Sequence, residues 1–247
     1  SAYSMETFYS LFRTRKGLIG IGIFLVLILS TIFIIARTHK KTAIDPGFSK
    51  YIESYTTGII SKSSTIKIRL ASEVQVSHEQ NAALSEKIFS FSPSIKGKAY
   101  WIDARTIEFR PEGKLDPDKS YSAEFKLGKI ISVESKFEDF KFSFQTIKPD
   151  FTITFTGLQT ATSSSLDKMK LGGIVQTADN EESAQVEKLL TASFVNPTTI
   201  TWEHNPIAKT HKFVVTQLTR GNGVINKLTL NWDGSSLNID KKGNQDF

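Results

Sequence analysis

An uncharged run of twenty residues near the start of the chain most constrains what this chain can fold into. The run covers residues 17–36, lies between Lys16 and Arg37, and is rich in Ile and Leu. A helix of that length is about 30 Å long, the thickness of the hydrocarbon core of a bilayer. The run therefore predicts a transmembrane helix. The alternatives are a cleaved signal peptide, whose apolar region is usually shorter, and a buried soluble helix.

Basic side chains flank this run on both sides and account for most of the net charge. The net charge of the chain is +6, and residues 1–41 account for +5 of this charge, because they contain six basic residues and one acidic residue, Glu6. The other 206 residues carry 25 basic and 24 acidic side chains. A nearly neutral remainder does not favour a nucleic-acid partner. We expect the flanking basic residues to contact anionic membrane lipid; they are Arg13, Arg15, Lys16, Arg37, Lys40 and Lys41.

The lengths on either side of the run predict its orientation. Sixteen residues precede it and more than two hundred follow it. Long domains are translocated largely regardless of flanking charge. We therefore expect a cytoplasmic tail over residues 1–16, a juxtamembrane linker over 37–60 and exported domains after it. Protease added to spheroplasts would reach the exported part; protection of that part would contradict the orientation.

From about Ser61 the hydrophobic period changes to two, which is typical of half-buried strands. Ile66, Ile68 and Leu70 alternate with charged residues, and five further short runs of this kind follow before Thr146. Short strands joined by Pro, Gly and Asp turns favour an antiparallel β-sandwich over a parallel sheet. We predict one such sandwich over residues 61–148.

One local pattern in this region is typical of immunoglobulin-like sandwiches. Leu115, Pro117 and Tyr121 have the spacing of a tyrosine corner, in which a tyrosine hydroxyl closes the connection between the two sheets. We interpret Tyr121 as structural and not as a ligand contact.

A second β-domain is predicted over residues 149–247. Alternation resumes at Phe151, and Asp179 with Glu182 resembles a capping box in front of one short helix. Strands follow, with turn residues at Asp233-Gly234, and the polar end, residues 240–247, is interpreted as an inter-domain linker. We therefore expect the natural chain to continue beyond Phe247.

Catalytic and metal-binding patterns are sparse. The chain has no cysteine, which excludes disulfides, thiolate zinc sites and cysteine nucleophiles. His204 and His211 flank a turn and could hold a metal together with Glu203, but a solvated hairpin is the preferred interpretation. A phosphate-binding loop and a serine nucleophile elbow are absent from the sequence. We expect no cofactor, no metal and no catalytic site.

Several stretches resemble the N-terminal region of bacterial α2-macroglobulin-like proteins. They include residues 44–49, 55–62, 89–97 and 105–111, together with Leu115, Pro117 and Tyr121. The second domain is similar to the first macroglobulin-type domain of that family in residues 186–190 and 201–204. With this resemblance the predicted fold class is mostly β: one N-terminal transmembrane helix followed by two antiparallel β-sandwich domains, Ig-like and macroglobulin-type, the second with one short helix.

The resemblance implies a long protein of the bacterial inner membrane that traps proteases when they cleave a bait segment. Target proteases would bind regions beyond residue 247, and this segment would act as anchor and spacer. The chain departs from the family pattern because it has no cysteine for a thioester. The alternatives are an accessory subunit of a larger envelope complex, which binds a membrane protein through the helix, and a stalk for an enzyme domain beyond residue 247.

Overall fold

The chain is known from a computed structural model, which describes residues 44–74, 81–221, 223 and 225–247. All of these belong to one compact unit, Ile44–Phe247. It contains two β-sandwiches that follow each other along the chain.

The first sandwich has two four-stranded sheets. One sheet has the order β1-β3-β6-β5 and the other β2-β8-β7-β4. These are the two sheets of an immunoglobulin-like domain, with its first strand divided between them. The strands are β1 (Ile52–Tyr55), β2 (Gly58–Ile60), β3 (Ile66–Leu70), β4 (Phe89–Ser92), β5 (Gly97–Trp101), β6 (Thr106–Pro111), β7 (Ser120–Lys126) and β8 (Asp139–Thr146).

Alternation of buried and exposed residues along the strands explains how the two sheets of this domain pack on each other. Strand β8 buries Phe140, Phe142 and Phe144 and exposes the residues between them. These rings meet Ile66 and Ile107 of the opposite sheet in one core. The predicted sandwich is therefore confirmed, with one correction to its strictly antiparallel form: β2 pairs with β8 in parallel.

The first domain begins earlier than the sequence predicts. Part of the predicted linker 37–60 forms a 3-10 helix, Pro46–Lys50, and the strands β1 and β2. Phe48 and Ile52 are buried in the core of this domain. The remainder of the linker, residues 37–43, lies outside the described residues.

The second sandwich packs a four-stranded sheet, β12-β13-β10-β9, against a three-stranded sheet, β11-β14-β15. All of its strand pairs are antiparallel. Its elements are β9 (Phe151–Thr162), β10 (Ser165–Thr177), α1 (Ser183–Val186), β11 (Leu190–Ser193), β12 (Thr199–Asn205), β13 (Thr210–Thr219), β14 (Thr229–Asp233) and β15 (Lys242–Asp246), with 3-10 helices at Glu187–Leu189 and Gly234–Leu237.

Three local predictions in this domain are wrong. The capping box does not form: Glu182 is the N-cap of α1, but its side chain accepts no capping hydrogen bond, and Asp179 contacts the first domain. The predicted linker 240–247 contains β15, which pairs with β14. Asp233 begins the 3-10 helix Gly234–Leu237 by accepting the amide of Ser235, so it is not part of a two-residue hairpin.

The predicted fold class also needs correction at its N-terminus. It placed a transmembrane helix in front of the β-domains, but no helix among the described residues is long and apolar enough to cross a bilayer. The assigned run, residues 17–36, lies outside the described residues, as do Arg13, Arg15, Lys16, Arg37, Lys40 and Lys41. The described part of the chain is thus mostly β with one short α-helix.

Candidate functional site: the domain junction

The tyrosine corner fixes one side of the contact between the two domains. The amide of Asp116 donates to the hydroxyl oxygen of Tyr121 at 3.2 Å, and the Tyr121 ring stacks on Phe144 at a centroid distance of 5.3 Å. Leu115 is buried and Pro117 is exposed. Burial raises the pKa of Tyr121, since it disfavours the phenolate. The loop between β6 and β7 is thereby held against the sandwich.

Replacing Tyr121 by Phe tests this corner. The variant leaves the Asp116 amide without its acceptor, so we expect the first domain to lose about 1 kcal/mol of unfolding free energy. Urea unfolding measures the loss. Tyr100→Phe, on β5, is the control and should change the free energy of unfolding by less; equal effects of the two variants would contradict the corner.

Lys62 connects this corner to the second domain. Its carbonyl oxygen accepts the amide of Leu115 at 2.8 Å. Its own amide donates to Oδ2 of Asp179, also at 2.8 Å. Asp179 lies two residues after the end of β10 and is only 2% exposed. A buried carboxylate of the second domain therefore accepts a backbone hydrogen bond from the first.

Side-chain ion pairs add to this contact. Lys62 Nζ lies 2.6 Å from Oε2 of Glu181, and the two side chains are only 13% and 10% exposed. Lys114 pairs with Glu182, the next residue, at the more exposed rim. The ion pair to Lys114 lowers the pKa of Glu182. We call Lys62, Lys114, Asp179, Glu181 and Glu182 the junction.

The junction joins the two domains through paired opposite charges. Its carboxylates face lysines of the other domain, and each lysine has an acidic partner. Among the described residues no group of three or more His, Cys, Asp or Glu side chains could hold a metal. The sequence indicated the corner residues, but it assigned Asp179 and Glu182 to a capping box at the start of the helix.

The histidines singled out in the sequence come together with a different carboxylate. Nδ1 of His204 lies 2.8 Å from Nδ1 of His211, and Nε2 of His204 lies 3.0 Å from Oε1 of Glu187. Glu203, the third member of the disfavoured metal-site alternative, instead faces Lys212 at 4.0 Å. The preferred interpretation, a solvated hairpin, is confirmed in the pairing of β12 with β13 but is wrong for His211, which is 1% exposed.

An apolar depression lies at the end of the second domain away from the junction. It has a volume of about 360 Å³ and is lined by Leu218, Leu228 and Phe247, among others. Two large apolar side chains of its lining are exposed: Leu158 by 42% and Ile225 by 95%. We call these two residues the distal patch.

Comparison with known proteins yields only distant structural likeness. No family model and no curated protein matches the sequence. L,D-transpeptidase 3 from Mycobacterium tuberculosis, in complex with a faropenem-derived adduct, aligns with a TM-score of 0.30 and 9% identity. The alignment covers 64% of this chain and 66% of that structure. An L,D-transpeptidase from Mycobacterium smegmatis aligns with a TM-score of 0.29 and 11% identity, over 71% of this chain and 76% of that structure. Rst D1-D2 aligns with a TM-score of 0.27 and 10% identity, over 78% of this chain and 95% of that structure. Scores this low assign no activity.

Proposed function

We propose that this chain is a non-catalytic segment of a bacterial α2-macroglobulin-like protein of the cell envelope, in which two β-sandwiches act as a spacer. The observation that supports this most is the junction, because Lys62 contacts both Asp179 and Glu181 of the second domain. A spacer must keep its two ends at a fixed distance. A buried polar contact between its domains restricts their relative motion.

The motifs that carry the family resemblance have structural roles consistent with a spacer. Leu115 and Tyr121 form the corner, and Val186 and Leu189 are buried in the second core. Trp202 packs on Phe213 of that core at a centroid distance of 5.5 Å. Their burial supports an assignment to scaffold and not to catalysis.

Protease capture tests the proposed function. The protein expressed from its complete reading frame should form a complex with an added active endoprotease, which then cleaves small peptide substrates but not large proteins. The same protease with its nucleophile replaced should not be captured, since it cannot cleave a bait segment. Full cleavage of large substrates in the presence of the protein would contradict a trap.

A second candidate is an accessory subunit of an envelope complex, and the distal patch favours it. Exposed clusters of large apolar residues commonly mark contact surfaces between proteins. A defined partner that co-purifies in mild detergent, and that is lost in Leu158→Asp with Ile225→Asp but kept in Ile59→Asp, would support the subunit. Ile59 is a suitable control because it is 71% exposed on the first domain.

A further inference from the structure

Two histidines of the second domain form one hydrogen-bonded pair that leads inward from the surface. Glu187 contacts Nε2 of His204 at 3.0 Å, and Nδ1 of His204 contacts Nδ1 of His211 at 2.8 Å. Trp202 stacks on His204 with an interplanar angle of 7°. His211 is 1% exposed. The pair thus joins a surface carboxylate to a buried imidazole.

The inner end of this pair reaches the junction through one threonine. Nε2 of His211 lies 3.4 Å from Oγ1 of Thr177, and that hydroxyl lies 2.8 Å from the carbonyl oxygen of Asp179, to which it donates. The carboxylate of the same Asp179 accepts the amide of Lys62. We call the following residues the histidine chain: Glu187, His204, His211, Thr177 and Asp179.

The donors and acceptors of the histidine chain can be counted. The hydroxyl of Thr177 has one proton, which it donates to the carbonyl of Asp179 at 2.8 Å in preference to the carbonyl of Lys209 at 3.4 Å. With either acceptor, Nε2 of His211 must donate to Thr177. Nδ1 of His211 is then the acceptor in the neutral ring, and Nδ1 of His204 is the donor. Nε2 of His204 must also donate, because its neighbour is the carboxylate of Glu187. Every hydrogen bond is formed only when His204 is an imidazolium and His211 is neutral.

Removal or addition of one proton breaks this arrangement. When His204 is neutral, either its bond to Glu187 is lost or the Thr177 hydroxyl must turn from Asp179 to His211. When both rings are protonated, two N–H groups face each other at Nδ1 with no acceptor between them. The arrangement with one net positive charge on the pair is therefore the one in which every hydrogen bond of the histidine chain forms.

The charged groups around the pair are consistent with a single positive charge. Glu187 faces it from the 3-10 helix after α1. Glu203 and Lys212 point to the other face of the sheet, because side chains alternate along a strand. Lys209 donates to the carbonyl of Ala178, and Lys62 pairs with Glu181. Burial, followed by the neighbouring His204, lowers the pKa of His211, which agrees with a neutral inner ring.

We propose that the histidine chain is a proton-dependent latch, in which the singly protonated His204–His211 pair fixes the loop that carries Asp179 against Lys62. Loss of one proton at the pair lets the Thr177 hydroxyl turn from Asp179 to His211, and gain of one proton breaks the hydrogen bond between the two rings. Either change loosens the contact between the domains. Because the two rings share a hydrogen bond, their titration steps belong to the pair and not to either ring.

Nitrogen-detected NMR of the full chain over a pH series tests the latch. Between the two titration steps we expect one imidazolium and one neutral ring that carries its proton on Nε2. The amide resonance of Lys62 should shift with the same midpoints as the ring nitrogens. In Thr177→Val this correlated shift should disappear while the rings still titrate, and in the control Thr154→Val, on the exposed face of β9, it should remain.

Several outcomes would overturn the latch. Two rings that titrate independently, or a singly protonated pair whose neutral ring carries its proton on Nδ1, would contradict the assigned donors in the unaltered protein. A Lys62 amide that ignores the ring titration would remove the connection to the junction, and so would one that follows it equally in Thr177→Val. If the chemical shift of the Lys62 amide instead changes with a pH midpoint typical of a free carboxyl group, the titrating group is Asp179 and not the histidine pair. That result also contradicts the latch.

Acidification provides a related prediction. The pKa of His211 is lower in the folded protein than its ordinary value of 6.5. Below about pH 6.5 the unfolded chain therefore binds more protons at this residue than the folded chain, so stability falls as the pH is lowered through that range. We expect His211→Gln to flatten the decrease in urea midpoint from pH 7 to 5. If the urea midpoint of His211→Gln decreases as steeply between pH 7 and 5 as that of the unaltered protein, titration of His211 does not cause the decrease.

Discussion

Replacing Lys62 by Met is expected to lower the unfolding free energy of the two-domain unit by about 3 kcal/mol. The variant leaves the carboxylate of Glu181, only 10% exposed, without its partner at 2.6 Å. A nearly buried charge without a partner costs more than the pair contributes, because its desolvation is no longer offset. Urea unfolding followed by circular dichroism measures the loss.

Two matched variants separate the buried charge from loss of a lysine in general. Lys62→Met combined with Glu181→Leu removes both charges and should recover most of the loss. Lys136→Met breaks an exposed pair with Glu134, whose side chains are 63% and 60% exposed, and should change stability by less than about 1 kcal/mol. A double variant as unstable as Lys62→Met alone would contradict our explanation.

Truncation of Phe213 to Ala should destabilise the second domain by about 3 to 5 kcal/mol. Its ring is 1% exposed and packs against Trp202 and Phe155 at centroid distances of 5.5 and 6.2 Å. It also fills the space above Gly173, where a Cβ would lie 2.3 Å from the ring. Hydrogen exchange resolves the effect by domain: amides of β10 and β13 should lose protection, while those of β7 and β8 keep it.

The close approach to Gly173 makes this prediction sharper. Gly173→Ala alone should cost about 1 to 3 kcal/mol, because the ring of Phe213 and the carbonyl of Thr154 must move. In a Phe213→Leu background the same substitution should cost less, since the shorter side chain vacates part of that space. Gly113→Ala is the control, as nothing lies within 4 Å of its Cβ. Equal costs of Gly173→Ala in both backgrounds would contradict the packing described for Phe213.

The sequence predicted those parts of the fold where an alternating pattern reports burial on one face. Strand β8 is the clearest case, since every second residue is a buried Phe or Thr. The strands β1, β2 and β15 were missed because they are short or polar. In β15 the sequence Lys-Gly-Asn-Gln-Asp has no apolar residue, and the strand exists because its backbone pairs with β14.

The site could not be predicted from the sequence, because its residues contact partners that are far apart along the chain. Asp179 and Glu182 have the spacing of a capping box, but Asp179 finds the amide of Lys62, 117 residues earlier in the chain. Likewise the disfavoured metal-site alternative grouped Glu203 with the histidines, whereas strand alternation turns Glu203 away and the fold brings Glu187 to His204. Leu115 and Tyr121 could be predicted because the corner is local, with its hydrogen bond spanning five residues.

The central claim is that the junction holds the two sandwiches in one fixed arrangement, and a distance measurement tests it most directly. Because the chain has no cysteine, spin labels can be attached through Ser90→Cys on β4 and Thr201→Cys on β12, both at exposed positions. Pulsed electron double resonance should give one narrow distance distribution, which broadens in Lys62→Met. A broad distribution in the protein with Lys62 intact would contradict a fixed junction.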